Sequence, residues 1–67
     1  MSIDELAYEY GWDKWSDRYV RERAEDTLFI DIKLKEFGVE LGFRSITLKY
    51  NLTNSNITTL IKLFGVR

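Results

Sequence analysis

The chain contains no cysteine, no histidine and no proline. Without cysteine it has no disulfide framework and no thiol chemistry. Without histidine it lacks the commonest general base and the commonest metal ligand. An enzyme of this composition would depend on carboxylates, lysine, tyrosine or serine, and no spacing of those residues singles out a reactive group. We therefore expect a non-enzymatic protein with no metal site and no cofactor.

Long apolar runs are also missing. No stretch approaches the roughly 18 apolar residues that a membrane-spanning helix needs, and the N-terminus lacks the basic region followed by an apolar run of a signal peptide. We expect a soluble, cytoplasmic protein that makes no membrane contact. Its 67 residues predict a single domain over 1–67. A domain of this size buries only about 60% of its unfolded surface, so a dimer interface would add stability.

Charge is distributed unevenly along the chain. Residues 1–26 hold eight acidic and four basic side chains, a net charge of −4, whereas residues 27–67 hold three acidic and six basic ones, a net charge of +3. Such asymmetry can mark a surface for a partner of opposite charge, and it is also compatible with ordinary solvated charge.

Helical periodicity dominates the first third of the chain. A stripe spaced i, i+3, i+4, i+7 predicts a helix over residues 3–10, with Ser2 as N-cap and Glu5 closing a capping box. Beyond Gly11, three aromatic residues keep helical spacing on the opposite side. We therefore predict a turn near Gly11 and a second helix of about 13–25; the alternative is that the second helix continues the first. The stripe is Ile3, Leu6, Ala7 and Tyr10, and the aromatic residues are Trp12, Trp15 and Tyr19.

The middle of the chain changes to a period of two. Residues 28–34 alternate as in a strand whose wet face carries Phe29 and Asp31. A turn at Phe37–Gly38 pairs this strand with the next, and a single β-bulge at Arg44–Ser45 keeps one apolar face continuous. The alternative is a three-stranded meander with a turn at Gly42–Ser45.

Residues 53–64 return to the helical period, with Thr53 as the N-cap and Ser55 as a competing cap. The predicted order is α(α)ββα: an N-terminal helix or helix-turn-helix, an antiparallel β-hairpin with a bulge, and a C-terminal helix. This is a small α+β domain with helices packed on one face of the hairpin. The apolar stripe of the last helix is Ile57, Leu60, Ile61 and Phe64.

Residues 3–20 partly resemble a helix-turn-helix motif. Ala7, Gly11 and Val20 match the required spacing, but Asp17 would place a carboxylate in the seam between the two helices, which is costly without a partner. A DNA-binding regulator would use one basic helix face that meets phosphates. The surrounding acidic residues oppose this, because DNA binding depends on neutralising phosphates. That face would carry Lys14, Arg18 and Arg21.

Five aromatic residues lie within twelve positions, between Tyr8 and Tyr19. Some must fill the core of so small a domain, but tryptophan, tyrosine and arginine are also the residue types that anchor interfaces. We predict a partner-binding patch rimmed by acids, whose target carries basic residues and could itself bind nucleic acid. The predicted patch comprises Trp12, Asp13, Trp15, Asp17, Arg18 and Tyr19.

The leading hypothesis is therefore a small protein–protein interaction module, an inhibitor or modulator that occludes a partner's surface. By analogy of size and composition it resembles phage and mobile-element proteins such as anti-CRISPRs and antirepressors. The main alternative is the DNA-binding regulator described above. A third possibility is a homodimer joined through an edge of the hairpin or through the C-terminal helix.

Overall fold

Two helices and five strands make up the computed structural model, which describes residues 2–66. Each strand pairs antiparallel with the next, so the sheet is a five-stranded meander in the order β1-β2-β3-β4-β5. The α+β class is confirmed, but a five-stranded sheet replaces the predicted hairpin. The elements are α1 (Ile3–Glu9), β1 (Asp13–Trp15), β2 (Arg18–Glu22), β3 (Thr27–Asp31), β4 (Glu36–Leu41), β5 (Arg44–Lys49) and α2 (Asn54–Leu63).

The predicted second helix over 13–25 was wrong. This segment forms the β1–β2 hairpin, in which Trp15 pairs with Arg18 across a two-residue loop and Ser16 takes a φ of 55°. Helical spacing misled the prediction because positions 12, 15 and 19 also suit a hairpin that reverses between 15 and 18. Pairing of β2 with β3 along five residues outweighs any helical preference here.

The predicted turn at Phe37–Gly38 was also wrong, because both residues lie inside β4. The β3–β4 loop spans 32–35; Lys35 takes a φ of 57°, and Asp31 Oδ1 accepts a hydrogen bond of 2.8 Å from the backbone N–H of Leu34. The alternative meander was closer, since Gly42 and Phe43 form a two-residue loop and Gly42 has the positive φ that such loops require.

A bulge does occur in this sheet, but not where the sequence placed it. Val39 pairs with Ile46 and Gly38 with Thr47, whereas Phe37 pairs with Lys49. The extra residue of β5 is therefore Leu48, three positions beyond the predicted Arg44–Ser45.

Both predicted N-cap residues, Ser2 and Thr53, are confirmed. The Ser2 hydroxyl accepts a hydrogen bond from the backbone of Glu5. Thr53 forms a reciprocal capping box with Asn56, so α2 begins where its sequence predicts. The capping box satisfies amide groups that have no partner inside the helix.

Both helices pack on the same face of the sheet, which we call the helix face. The core between them is centred on Trp12, whose side chain is 1% exposed and whose Nε1 donates a hydrogen bond of 3.0 Å to the carbonyl of Ile61 in α2. The buried side chains of this cluster are Ala7, Trp12, Tyr19, Leu28, Ile30, Phe37, Leu52, Ile57, Leu60 and Ile61.

The two ends of the chain meet beside Trp12. The backbone N–H of Val66 donates to the carbonyl of Tyr10 at 2.8 Å. A Cβ added to Gly65 would lie 2.5 Å from the Cβ of Tyr10, so only glycine permits this approach. The segment after α2 is thereby held against the end of α1.

Asp4 connects α1 to the sheet. Its carboxylate accepts hydrogen bonds from the Tyr19 hydroxyl and from Lys14 Nζ, the latter at 3.2 Å. The hydrogen bond from Tyr19, and then that from Lys14, hold the pKa of Asp4 below its usual value. Burial and the neighbouring carboxylate raise the pKa of Tyr19.

Replacement of the two tryptophans separates core from surface. Trp12→Ala should lower the free energy of unfolding by about 3–5 kcal/mol, because it empties a buried site and leaves a carbonyl without its donor. Trp15→Ala should change it by less than about 0.5 kcal/mol, because Trp15 is 69% exposed. Urea titration followed by circular dichroism measures both. Equal losses of unfolding free energy for the two variants would contradict the placement of Trp12 in the core and Trp15 on the surface.

Low pH should weaken the hydrogen bonds that the Asp4 carboxylate accepts from Tyr19 and Lys14. Its folded-state pKa lies below the unfolded value of 3.8, so the charged form stabilises the fold above pH 3.8 and this contribution disappears as the pH falls through the lowered pKa. Asp4→Asn should therefore be less stable than the wild type at pH 7 and approach it near pH 2. Urea midpoints at both pH values test this, and a gap that widened in acid would refute it.

Candidate functional site

The sheet face opposite the helices, here called the outer face, carries three rows of paired residues. Strand pairing places each row across neighbouring strands, so its side chains project on the same side. The rows are Trp15–Arg18–Asp31–Glu36, then Asp13–Val20–Phe29–Gly38–Thr47, then Glu22–Thr27–Glu40–Ser45.

Phe29 is the centre of this face and is only 2% exposed, although no helix covers it. Its ring lies over Gly38 of the neighbouring strand, where a Cβ would come within 2.4 Å of Phe29 Cζ and of the carbonyl oxygen of Ile46. Glycine in β4 therefore provides the space for the aromatic ring. A glycine inside a strand commonly marks such a close approach.

Arg18 lies over the Phe29 ring. Its guanidinium carbon lies 4.4 Å from the ring centroid, a cation–π distance. Two carboxylates hold the guanidinium in place: Asp31 Oδ2 lies 3.4 Å from Nε and Glu40 Oε1 lies 3.2 Å from Nη1. Asp31 is itself buried and fixed by the Leu34 backbone, so the arginine is oriented from β3 and β4 together.

The outer face is strongly acidic. Its three rows contain five carboxylates and one guanidinium, that of Arg18. The basic residues of the same strands point the other way: Lys14 pairs with Tyr19 and Arg21 pairs with Leu28, both on the helix face. The alternation of side chains along each strand therefore concentrates negative charge on one side. The carboxylates are Asp13, Glu22, Asp31, Glu36 and Glu40.

Trp15 stands at one corner of this acidic face, beside Arg18. Its large exposed surface lies next to a side chain that is already ordered. A rigid aromatic anchor beside a fixed arginine is the composition typical of the energetic centre of an interface. This corner and the acidic rows together form the candidate site.

The structure divides the predicted patch between two environments. Asp13, Trp15 and Arg18 lie together on the outer face, and Asp17 is exposed in the adjoining β1–β2 loop, with its carbonyl accepting from Ile32 N–H at 2.7 Å. Trp12 and Tyr19 are instead buried beneath the helices. A partner cannot reach those two side chains in the folded state.

The predicted DNA-binding set is not brought together. Lys14 lies on the helix face and pairs with Asp4, Arg21 lies on that face as well, and Arg18 lies on the outer face. The three residues therefore share no helix and no face. The helix-turn-helix interpretation of residues 3–20 was wrong because only its first helix, α1, exists.

The centre of the site was not predicted from the sequence. Phe29 and Asp31 were predicted on the wet face of a strand without a functional role, and Gly38 was predicted in a turn. The signal was a phenylalanine on the polar side of a strand together with a glycine in the next one. Such a pair indicates a ring packed over a glycine.

A second surface feature lies on the helix face, between β5 and α2. It is a groove of about 360 Å³ lined by Phe37, Leu48, Lys49, Asn56, Thr59, Leu60, Leu63 and Phe64. Within residues 2–66, no group of three or more carboxylate side chains is placed to hold a metal ion. Over the same residues, neither helix combines the length and apolar character needed to cross a membrane.

Comparisons with protein-family models, with curated proteins and with solved structures gave no match.

Enlarging Gly38 should disturb the centre of the outer face. Gly38→Ala should lower the free energy of unfolding by about 2 kcal/mol, because its Cβ meets both the Phe29 ring and a backbone carbonyl that cannot withdraw. Thr47→Ala, at the position paired with Gly38, should cost less than about 1 kcal/mol. Urea unfolding of both variants tests the packing of the Phe29 ring over Gly38. A Gly38→Ala protein as stable as the wild type would exclude this packing.

Proposed function

We propose that this chain is a non-enzymatic protein-binding module that inhibits or modulates a partner by occluding a basic surface. The outer face is the contact surface. The single observation that carries the proposal is the exposed Trp15 beside Arg18. The paired rows of this face hold five carboxylates and, within residues 2–66, no basic side chain other than Arg18.

The energetics of this face favour a protein partner. Trp15 offers a large apolar surface that loses little conformational freedom on binding. Arg18 is already oriented by Phe29, Asp31 and Glu40, so binding orders few additional groups. The surrounding carboxylates accelerate association with a positively charged surface and disfavour negatively charged ones.

The same charge disfavours direct contact with nucleic acid, because phosphates would approach five carboxylates. A nucleic-acid-binding protein is a suitable partner, since it carries the basic surface that this face complements. Covering that surface would block the partner's own ligand. This is the mode of action expected of small inhibitors such as anti-CRISPRs and antirepressors, the class to which size and composition pointed.

The test is a pull-down from source-cell lysate with the tagged protein, run with and without nuclease and analysed by mass spectrometry. We expect one stoichiometric protein with a basic surface, retained after nuclease treatment. Trp15→Ala should weaken its affinity at least about 30-fold, the equivalent of about 2 kcal/mol. The matched control is Tyr8→Ala, an exposed aromatic residue on α1, which should bind as the wild type does.

Two results would overturn the proposal. One is retention of nucleic acid, with any accompanying proteins lost after nuclease treatment. The other is a partner bound equally by the wild type and by Trp15→Ala, with Trp15→Ala still folded by circular dichroism.

A further inference from the structure

The groove between β5 and α2 has an apolar floor and two apolar walls. Its floor includes the rings of Phe37 and Phe64, which stack with their centroids 5.3 Å apart. Its walls include Leu48 of β5 and Leu63 of α2, whose side chains are 54% and 68% exposed. Contiguous exposed apolar surface of this kind commonly marks a binding site.

The bulge in β5 places a cation beside this apolar surface. In a regular ladder Leu48 would pair with Phe37, and Lys49 would project from the outer face. Because Leu48 is the extra residue, Phe37 pairs with Lys49 instead, and both Leu48 and Lys49 line the groove. Bulges often re-aim a side chain in this way beside a functional site.

This part of the chain has no acidic side chain. The charged residues of positions 41–66 are Arg44, Lys49 and Lys62. None of the three forms an ion pair within residues 2–66. Arg44 lies on the helix face, as Lys49 does. On the side of the groove, β5 therefore carries a basic side chain near each end, and neither is neutralised by a carboxylate.

We propose that this groove binds an acidic segment of another protein. Large apolar side chains of the segment lie between Leu48 and Leu63, and its carboxylates meet Lys49 and Arg44. The two cations stand five positions apart on β5, a separation of roughly 15 Å. A peptide segment spans that distance, whereas a small carboxylic acid does not. The groove is on the opposite side of the sheet from Trp15, so this binding is independent of the proposed function.

Two other occupants fit the groove less well. A second copy of the chain would bring its own Arg44 and Lys49 to the same basic edge, where like charges repel. An anionic membrane has a suitable charge, but its surface is flat. The concave shape of the groove instead suits individual side chains that project from a peptide.

A random peptide library displayed on phage and selected on the immobilised protein tests this chemistry without presupposing it. We expect the enriched peptides to share acidic residues next to large apolar ones. Leu63→Glu should weaken binding of the best peptide at least about 30-fold, because it replaces an apolar wall with a repelling charge. The matched control is Leu34→Glu, a similarly exposed leucine in the β3–β4 loop, which should bind as the wild type does.

A charge reversal in β5 tests the basic edge separately from the apolar wall. Lys49→Glu should weaken binding of the same peptide at least about tenfold. Lys33→Glu, at an exposed position in the β3–β4 loop, should leave it unchanged. Trp15→Ala should also leave it unchanged, which separates this surface from the outer face. Circular dichroism verifies that each variant is folded.

The proposal fails on any of four results. Enriched peptides that lack acidic residues would contradict the charge complementarity. Binding that survives both Leu63→Glu and Lys49→Glu would place the peptide elsewhere. Sedimentation of the wild type as a dimer that Leu63→Glu dissociates would assign the groove to a second copy. Co-sedimentation with vesicles of phosphatidylcholine and phosphatidylserine, lost in Leu63→Glu, would assign it to a membrane.

Discussion

The sheet is covered by helices on one face only, and this constraint determines where every strand residue can be placed. Tyr19, Ile30 and Phe37 form one paired row and fill the space under α1 and α2. Their chain neighbours must lie on the outer face, because successive side chains of a strand point to opposite sides. The acidic outer face is thus the necessary complement of the apolar core, and a register shift of one residue would exchange the two.

A solvated face does not ordinarily bury a phenylalanine, and the space above Gly38 explains why this one does. The ring of Phe29 contacts β4 at Gly38, where no side chain intervenes, and the guanidinium of Arg18 lies over the ring. Two carboxylates then neutralise the guanidinium. The packing that buries the Phe29 ring therefore also orients Arg18 in the middle of an acidic surface, beside the exposed Trp15.

Features set by residues close together in the sequence, such as helix caps, were predicted correctly. The pairing of strands was predicted less well. Caps at Ser2 and Thr53 were identifiable because they are determined by residues three positions apart. The strand alternation around Leu28 and Ile30 was identifiable for the same reason. The β1–β2 hairpin was missed because Trp12, Trp15 and Tyr19 also fit a helical period. Pairing of β2 with β3, between residues five to thirteen positions apart, selects the strand.

The candidate site was predictable to a similar extent. Trp15, Arg18 and Asp13 were identified from composition, which does not distinguish strand faces, so the buried Trp12 and Tyr19 were grouped with them. Phe29, Gly38 and Glu40 come together only through the register of β3 and β4. Residues brought together by pairing between strands cannot be recognised until that pairing is known.

Formation of the core depends on both ends of the chain. Helices of 7 and 10 residues are too short to be stable alone, so α1 and α2 require the sheet and each other. Trp12 provides that link, since it follows α1 and donates its indole N–H to α2. The hairpins can form from nearby residues, whereas the core closes only when the last segment reaches Tyr10. The outer face lies on the opposite side of the sheet from these contacts. Its exposed side chains are therefore not required to form the core and can serve in binding.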